Sequence, residues 1–144
     1  MTVRLHGRRG LPRVDRRRLR ALARRLLREV GFGRAELSVV LVDDAEIAAL
    51  NARYRGEDRP TDVLSFSLLE GPHAERRGAL LGDVVVSLET AATQARRRRR
   101  CLDDEVLRLL IHGTLHLVGH DHERDDEARR MRAEERRVWR ALQA

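Results

Sequence analysis

The chain reads as an α+β protein, with a small mixed sheet of about four strands covered by helices. Short β-branched runs at Leu37–Val42, Val63–Phe66 and Asp83–Ser87 read as strands. Between and after them lie longer stretches whose apolar residues recur at helical spacing. Neither a linker rich in proline, glycine and serine nor an internal repeat divides the chain. At 144 residues, a single domain spanning 1–144 is expected. Such a domain buries roughly 70% of the surface that its unfolded chain exposes.

A short first strand at Val3–Leu5 opens the order of elements. Asp15 is an N-cap, and Leu19, Leu22, Ala23, Leu26, Leu27 and Val30 mark the buried stripe of a helix that Gly31 ends. Its other face is almost wholly arginine, which reads first as a solvated surface. After the strand Leu37–Val42, Asp43 and Glu46 stand at capping-box spacing before a helix through Ile47, Leu50 and Tyr54. The strand Val63–Phe66 follows, then an exposed connection from Leu68 to Ala79 marked by Gly71, Pro72 and Gly78. The unbroken apolar run within Asp83–Ser87 predicts burial on both faces. Helices are expected at Leu88–Arg100, Asp104–Leu117 and Asp126–Leu142. The last carries Ala128, Met131, Glu135, Val138, Trp139 and Leu142 on one side, with Met131 and Trp139 read as core. The helix over Asp104–Leu117 is apolar around much of its circumference and should lie at the centre.

The formal net charge is +7, and all 30 basic residues are arginine. Such an excess attracts polyanions, and the planar guanidinium suits phosphate. Nucleic acid is the leading partner class. With only Phe32, Tyr54, Phe66 and Trp139 available for stacking, contact should be made mainly to the backbone. The run Arg96–Arg100 points all round a helix and reads as a solvated helix end complementing the macrodipole, with non-specific RNA contact as the minority reading. A single cysteine, Cys101, gives no disulfide framework. No secretory signal and no membrane-length apolar run are visible, so a cytoplasmic protein without a membrane partner is expected.

The densest chemical signal lies in Ile111–Glu123. His112, His116 and His122 fall at intervals of four and six, with Gly119 between the last two. On a helix the first two imidazoles project from one face a turn apart. Gly119 tolerates the left-handed conformation that ends a helix and swings His122 back toward them. Three neutral imidazoles leave a fourth position for water, as in catalytic zinc sites, whereas a structural zinc would usually recruit cysteine. Zinc fits best, with nickel, copper or iron also accommodated. The same spacing occurs in the zinc-protease motif H-E-x-x-H-x-x-G-x-x-H, but the glutamate position here is Gly113, which cannot accept a proton from water. His120 and Asp121 lie inside the bend, as further ligands, supporting groups or solvated residues. His6 and His73 read as surface residues.

The segment His112-Gly-Thr-Leu-His116-Leu-Val-Gly119-His-Asp121-His122 resembles the signature of the YbeY family of bacterial metal-dependent endoribonucleases. Tyr54-Arg55, Pro60-Thr61-Asp62-Val63-Leu64-Ser65-Phe66 and Leu81-Gly82-Asp83-Val84 resemble that family's other motifs in the same order. The resemblance implies a single-strand-specific endoribonuclease acting in ribosomal RNA maturation, notably at the 16S 3′ end, and in ribosome quality control. It implies partners in precursor rRNA and the small ribosomal subunit with its associated factors, and leaves DNA outside the expected substrates. It also implies one zinc ion held by His112, His116 and His122, and a functional arginine at Arg55. Departures from the family pattern are His120, where tyrosine is common, and Ser67, where proline is frequent.

Chemically, a three-histidine zinc can lower the pKa of bound water to about 7 without a dedicated glutamate. His116 and Arg55 are the candidate catalytic residues, Arg55 by stabilising charge on the phosphate's non-bridging oxygens. The alternative role for Arg55 is an ion pair with Asp58 or Asp62. The nucleophile is water or the RNA's own 2′-hydroxyl. Asp62, Asp83 and Asp121 are candidates to support ligands or move protons, or else are caps and turn residues. Thr61 and Ser65 read equally well as backbone-bonding residues. Two competing readings are a metallopeptidase or other metallohydrolase, and a ribosome-associated RNA-binding module with a structural metal.

Overall fold

The computed structural model describes residues 2–67 and 80–143, so the expected connection at 68–79, with His73, lies outside the described residues. The elements run β1 (Thr2–Gly7), α1 (Arg16–Glu29), β2 (Glu36–Val42), α2 (Asp44–Arg55), β3 (Val63–Ser67), β4 (Leu80–Ser87), α3 (Leu88–Arg98), α4 (Leu102–Leu117) and α5 (Asp125–Gln143). The strands form one mixed sheet in the order β1-β2-β4-β3. β1, β2 and β4 are parallel, while β3 runs antiparallel along the edge beside β4. This is the α+β arrangement that the sequence predicts.

Each of three helix starts has a local cause. The Asp15 side chain accepts from Arg18 N at 3.0 Å. Asp43 and Glu46 form the full reciprocal capping box, and Ser87 caps α3 through Thr90 N. These side chains satisfy backbone donors that a helix leaves unpaired in its first turn. β1 and β4 are longer than the expected Val3–Leu5 and Asp83–Ser87. Parallel pairing with β2 draws Thr2, His6 and Gly7 of β1 and Leu80 to Gly82 of β4 into the ladder, glycines included, which side-chain alternation alone does not mark.

The period-two pattern of β2 divides the core. Leu37, Val39 and Leu41 face the larger cluster, which includes side chains of α1, α3, α4 and α5. Val42 joins Ile47, Leu64 and Val85 in a smaller cluster under α2. Both faces of β4 are buried, with Val84 and Val86 in the first cluster and Val85 in the second, as its sequence requires. α4 is the central helix, buried from Glu105 to Leu117 on most sides.

Arginines expected to be solvated are partly structural. Arg25 on α1 donates to the carbonyls of Ala141 and Leu142, satisfying the last turn of α5. The expected end of α3 at Arg100 is corrected to Arg98, because Arg99 adopts the left-handed conformation (φ 55°) and turns the chain. This turn brings Arg98 and Arg100 to 3.8 and 3.9 Å from the fully buried carboxylate of Glu105, which Arg108 also holds at 2.6 Å. The arginine run is therefore not simply a solvated end. A buried carboxylate requires compensating charge, and two members of the run help provide it.

α4 lies close against the sheet at Gly113. A Cβ there would stand 2.7 Å from Val84 Cγ1, 3.0 Å from Ser65 Oγ and 3.1 Å from Val63 Cγ2. The Ser65 hydroxyl donates to Gly113 O at 2.8 Å, and Ser67 Oγ bonds Leu117 O at 3.3 Å, so β3 is fastened to the carbonyls of the helix that carries the histidines. Gly113→Ala should overpack this contact and lower stability by about 1–3 kcal/mol, read as a reduced urea midpoint with unchanged m-value.

Candidate metal centre

α4 presents His112 and His116 a turn apart and ends at Leu117. The chain then turns through Gly119 at φ 103°. His120 N donates to Leu115 O at 2.9 Å and Gly119 N to His116 O at 3.2 Å. This paired pattern is a Schellman ending, which glycine's left-handed backbone makes accessible. It redirects the chain so that His122 returns to the other two rings, as the spacing predicts.

The ring centres of His112 and His116 are 4.8 Å apart, those of His116 and His122 5.0 Å, and those of His112 and His122 5.8 Å. Imidazoles bound to one tetrahedral ion at about 2.0–2.1 Å would have ring centres about 5 Å apart. The His112–His116 and His116–His122 separations match that spacing and the His112–His122 separation is wider, so the histidine and carboxylate donors suit a transition-metal ion, with His112 standing at the edge of the set. Donor atoms of His116, Asp121 and His122 also lie within 4.8 Å of one another. His116 and His122 are common to both groupings, and Asp121 is the acidic donor beside them.

His112 Nδ1 lies 2.9 Å from Glu135 Oε1 on α5. A hydrogen bond donated from Nδ1 to this carboxylate leaves Nε2 as the free donor of the ring, the tautomer a metal ligand requires. Burial pushes the Glu135 carboxyl up, but the His112 hydrogen bond and the nearby charges of His112 and Arg108 outweigh it and hold the group below its ordinary value. Burial lowers the pKa of His116, and His112 and His122 act in the same direction, so its neutral, ligating form is favoured. A hydrogen bond from His122 N holds the Asp121 carboxyl below its usual range, with the neighbouring histidines reinforcing the effect.

The three histidines line a cleft of about 540 Å³ together with Arg55, Asp62, Ser65, His120 and Asp121. Arg55 reaches this cleft from the last turn of α2, where Gly56 turns the chain at φ 69° and buried Asn51 ties the following loop through Arg59 O at 3.0 Å. Among the described residues, Arg55 pairs with neither Asp58 nor Asp62, which removes the ion-pair alternative. Asp62 instead accepts from Val63 N at 2.8 Å and Gln94 Nε2 at 3.2 Å, so it fastens the β3 entrance to α3. Thr61 Oγ1 approaches Asp62 Oδ1 at 3.5 Å. Asp83 lies on β4 opposite Phe66, away from the residues that line the cleft. Neither Asp62 nor Asp83 supports a histidine. Glu135 does so, and its sequence signal is its place as a lone acid on the otherwise apolar side of α5.

An α+β frame that carries a metal-capable histidine cluster, with an arginine across the same cleft, belongs to the class of metallohydrolase-like architectures. Residues 9–143 match the family model described as Endoribonuclease YbeY, and the chain belongs to that family. Over 141 residues it is 50% identical to "Endoribonuclease YbeY" of Anaeromyxobacter sp. (strain Fw109-5), covering 98% of this chain and 72% of that one. It is 41% identical to the relative of that description in Geobacter sulfurreducens, with 99% and 97% covered. A solution structure of a Thermotoga maritima protein is similar at TM-score 0.61 and 27% identity, covering 98% of this chain and 91% of that one. Among the described residues, no helix is long and apolar enough to cross a membrane.

Removing the Glu135 carboxylate by Glu135→Ala should weaken metal affinity about 10–100-fold, measured by competition with a chromogenic chelator. The His116 shift makes a second prediction. In the unfolded chain this imidazole takes up a proton near its ordinary value of 6.5, whereas in the folded protein it resists doing so. The unfolded state then binds more protons, so metal-free protein should lose stability as pH falls below 6.5. Denaturant midpoints on either side of that pH should differ less in His116→Ala than in the unsubstituted chain.

Proposed function

We propose that residues 1–144 act as one domain, a metal-dependent endoribonuclease that cleaves single-stranded RNA in ribosomal RNA maturation, at the 16S 3′ end, and in ribosome quality control. The convergence of three imidazoles and an arginine on one cleft, in a chain of this family, carries the reading. Its setting is the cytoplasm, and its partners are precursor rRNA and the small ribosomal subunit.

His112, His116 and His122 hold the ion, zinc by preference with nickel as an alternative. When bound, that ion supplies Lewis-acid polarisation of the phosphodiester and activation of the attacking water or 2′-hydroxyl. Glu135 fixes the tautomer of His112. Asp121, with its pKa depressed, stays anionic and is a weak proton acceptor, which suits a ligand or orienting role better than that of general base. Arg55 binds the non-bridging oxygens, where negative charge gathers in the transition state. With no carboxylate partner among the described residues, its guanidinium meets the phosphate without an ion pair to break.

The fold also bears on the peptidase reading. The side of α4 at position 113 is pressed against Val84, Ser65 and Val63 of the sheet, and Gly113 is not among the residues that line the cleft. A peptidase base is therefore absent, and the 2.7 Å left to Val84 Cγ1 gives a longer side chain no room at this position.

Elemental analysis paired with cleavage of a labelled precursor-rRNA fragment tests the proposal. His116→Ala should lose metal and cleavage together. Arg55→Glu should keep stoichiometric metal while kcat falls about 100-fold or more, the scale for removing one transition-state charge stabiliser. Full activity in metal-free protein would overturn the reading. Unsubstituted, metal-loaded protein that binds RNA with a steep salt dependence, keeps that binding in Arg55→Glu and never turns RNA over would replace it with a binding module.

A further inference from the structure

A second cavity, of about 290 Å³, opens between α4 and α5. Glu135 lines it, and Glu135 is bonded to His112, which lines the cleft, so the two cavities abut across this one pair. Buried Ile111 and half-buried Trp139 supply its apolar surface, and Arg100, Arg108, Arg132 and Arg136 surround it.

These cations are not equivalently engaged. Arg108 is committed to Glu105 through Nε at 3.0 Å and Nη2 at 2.6 Å. Arg100 reaches the same carboxylate only at 3.9 Å. Glu135, the acid that faces the cavity, is taken up by His112. Exposed Arg132 and Arg136 have no hydrogen bond or ion pair among the described residues, although they stand one turn apart on α5, where like charges repel. An anion between them would relieve that repulsion. The guanidinium fork matches phosphate, and an indole face beside it matches a base. A carboxylate-bearing peptide would satisfy the charge but make less use of the ring.

We propose that this cavity is a flanking-nucleotide subsite, in which a nucleotide neighbouring the scissile bond sets its base against Trp139 and its phosphate between Arg132 and Arg136. This rests on the reading of the cleft as an RNA-cleaving site. The strand would pass over the His112–Glu135 pair, so the helix that steadies the metal ligand would also carry the grip on the substrate.

Trp139 is the chain's only tryptophan, so its fluorescence reports on this cavity alone. The full chain is titrated with inorganic phosphate, with 5′-AMP and with a 2′-O-methyl oligoribonucleotide whose integrity is checked on a gel after each titration, while anisotropy of a labelled copy follows binding independently. The oligonucleotide should quench Trp139 saturably, the mononucleotide should do so more weakly, and phosphate should do so little. Arg132→Glu with Arg136→Glu should raise the midpoint and the KM about tenfold, with kcat and metal content unchanged. The salt slope of binding should fall by about 0.7 for each phosphate that the protein no longer neutralises. The milder pair Arg132→Gln and Arg136→Gln should show a smaller weakening in the same direction. Quenching that ignores both pairs, an oligonucleotide bound by anisotropy with Trp139 silent, or phosphate alone quenching as strongly would each overturn the subsite. Wild-type protein that shows the quench and its arginine dependence but never cleaves RNA would sink the endoribonuclease reading while keeping the nucleotide site. Cleavage with a silent Trp139 would remove the subsite alone.

Discussion

The candidate site depends on how closely one helix can lie on one edge of a sheet. At Gly113 the backbone of α4 rests against Val84, Val63 and Ser65, and the serine hydroxyl bonds the helix carbonyl at that point. With that side of the helix pinned, the residues before and after it are directed elsewhere. His112 faces Glu135 and the cleft, and His116 faces the cleft one turn on. The ring cluster is therefore a consequence of packing before it is a consequence of metal affinity. A side chain at 113 would push α4 away from β3 and shift both imidazoles relative to Arg55, which arrives from a different helix.

The second constraint is electrostatic. α4 carries a fully buried acid, Glu105, and α5 carries a half-buried one, Glu135, in a chain with a large surplus of arginine. Each acid has a specific task. Glu105 gathers Arg98, Arg100 and Arg108 and so ties the α3–α4 turn to the core, although a carboxylate must leave water to do so. Glu135 orders a histidine. Arg137 similarly bridges Glu134 to Glu29, joining α5 to α1, and its pKa rises through those hydrogen bonds. The arginines are thus divided between internal fastening and outward display, a division that composition alone does not reveal.

Local signals made much of this legible in the sequence. The Asp43–Glu46 box, the Asp15 cap, the β-branched strands and the turn at Gly119 are each determined by residues within a few positions of one another, and all four occur, with β4 extended beyond its β-branched run. The histidine cluster was also readable, because helical periodicity and one glycine suffice to bring its members together. What escaped were pairings across the fold. Nothing near Arg98 or Arg100 announces Glu105 as their partner, and nothing near His112 announces Glu135. Proximity to the motifs makes Asp62 and Asp83 candidate supports for the histidines, yet Asp62 serves the strand entrance and Asp83 lies outside the cleft. The end of α3 is hidden in the sequence for a related reason. Arg99 takes a left-handed conformation that its residue type disfavours by about 1–2 kcal/mol, and the ion pairs that accompany that turn are tertiary.

Packing, charge and metal geometry meet on α5. Its buried side includes Met131, Val138 and Leu142, which set the helix against the core. Glu135 leaves that apolar row to meet His112, and Arg132 and Arg136 flank it in sequence, beside the second cavity. A ligand held by those arginines therefore sits on the same rigid turn that fixes the histidine's tautomer. Movement of that turn would be felt at the ligand ring through a single 2.9 Å hydrogen bond, with no flexible loop between. In the proposed reading, substrate grip and metal-ligand orientation would both depend on one short stretch of helix, which Met131, Val138 and Leu142 pack against the core.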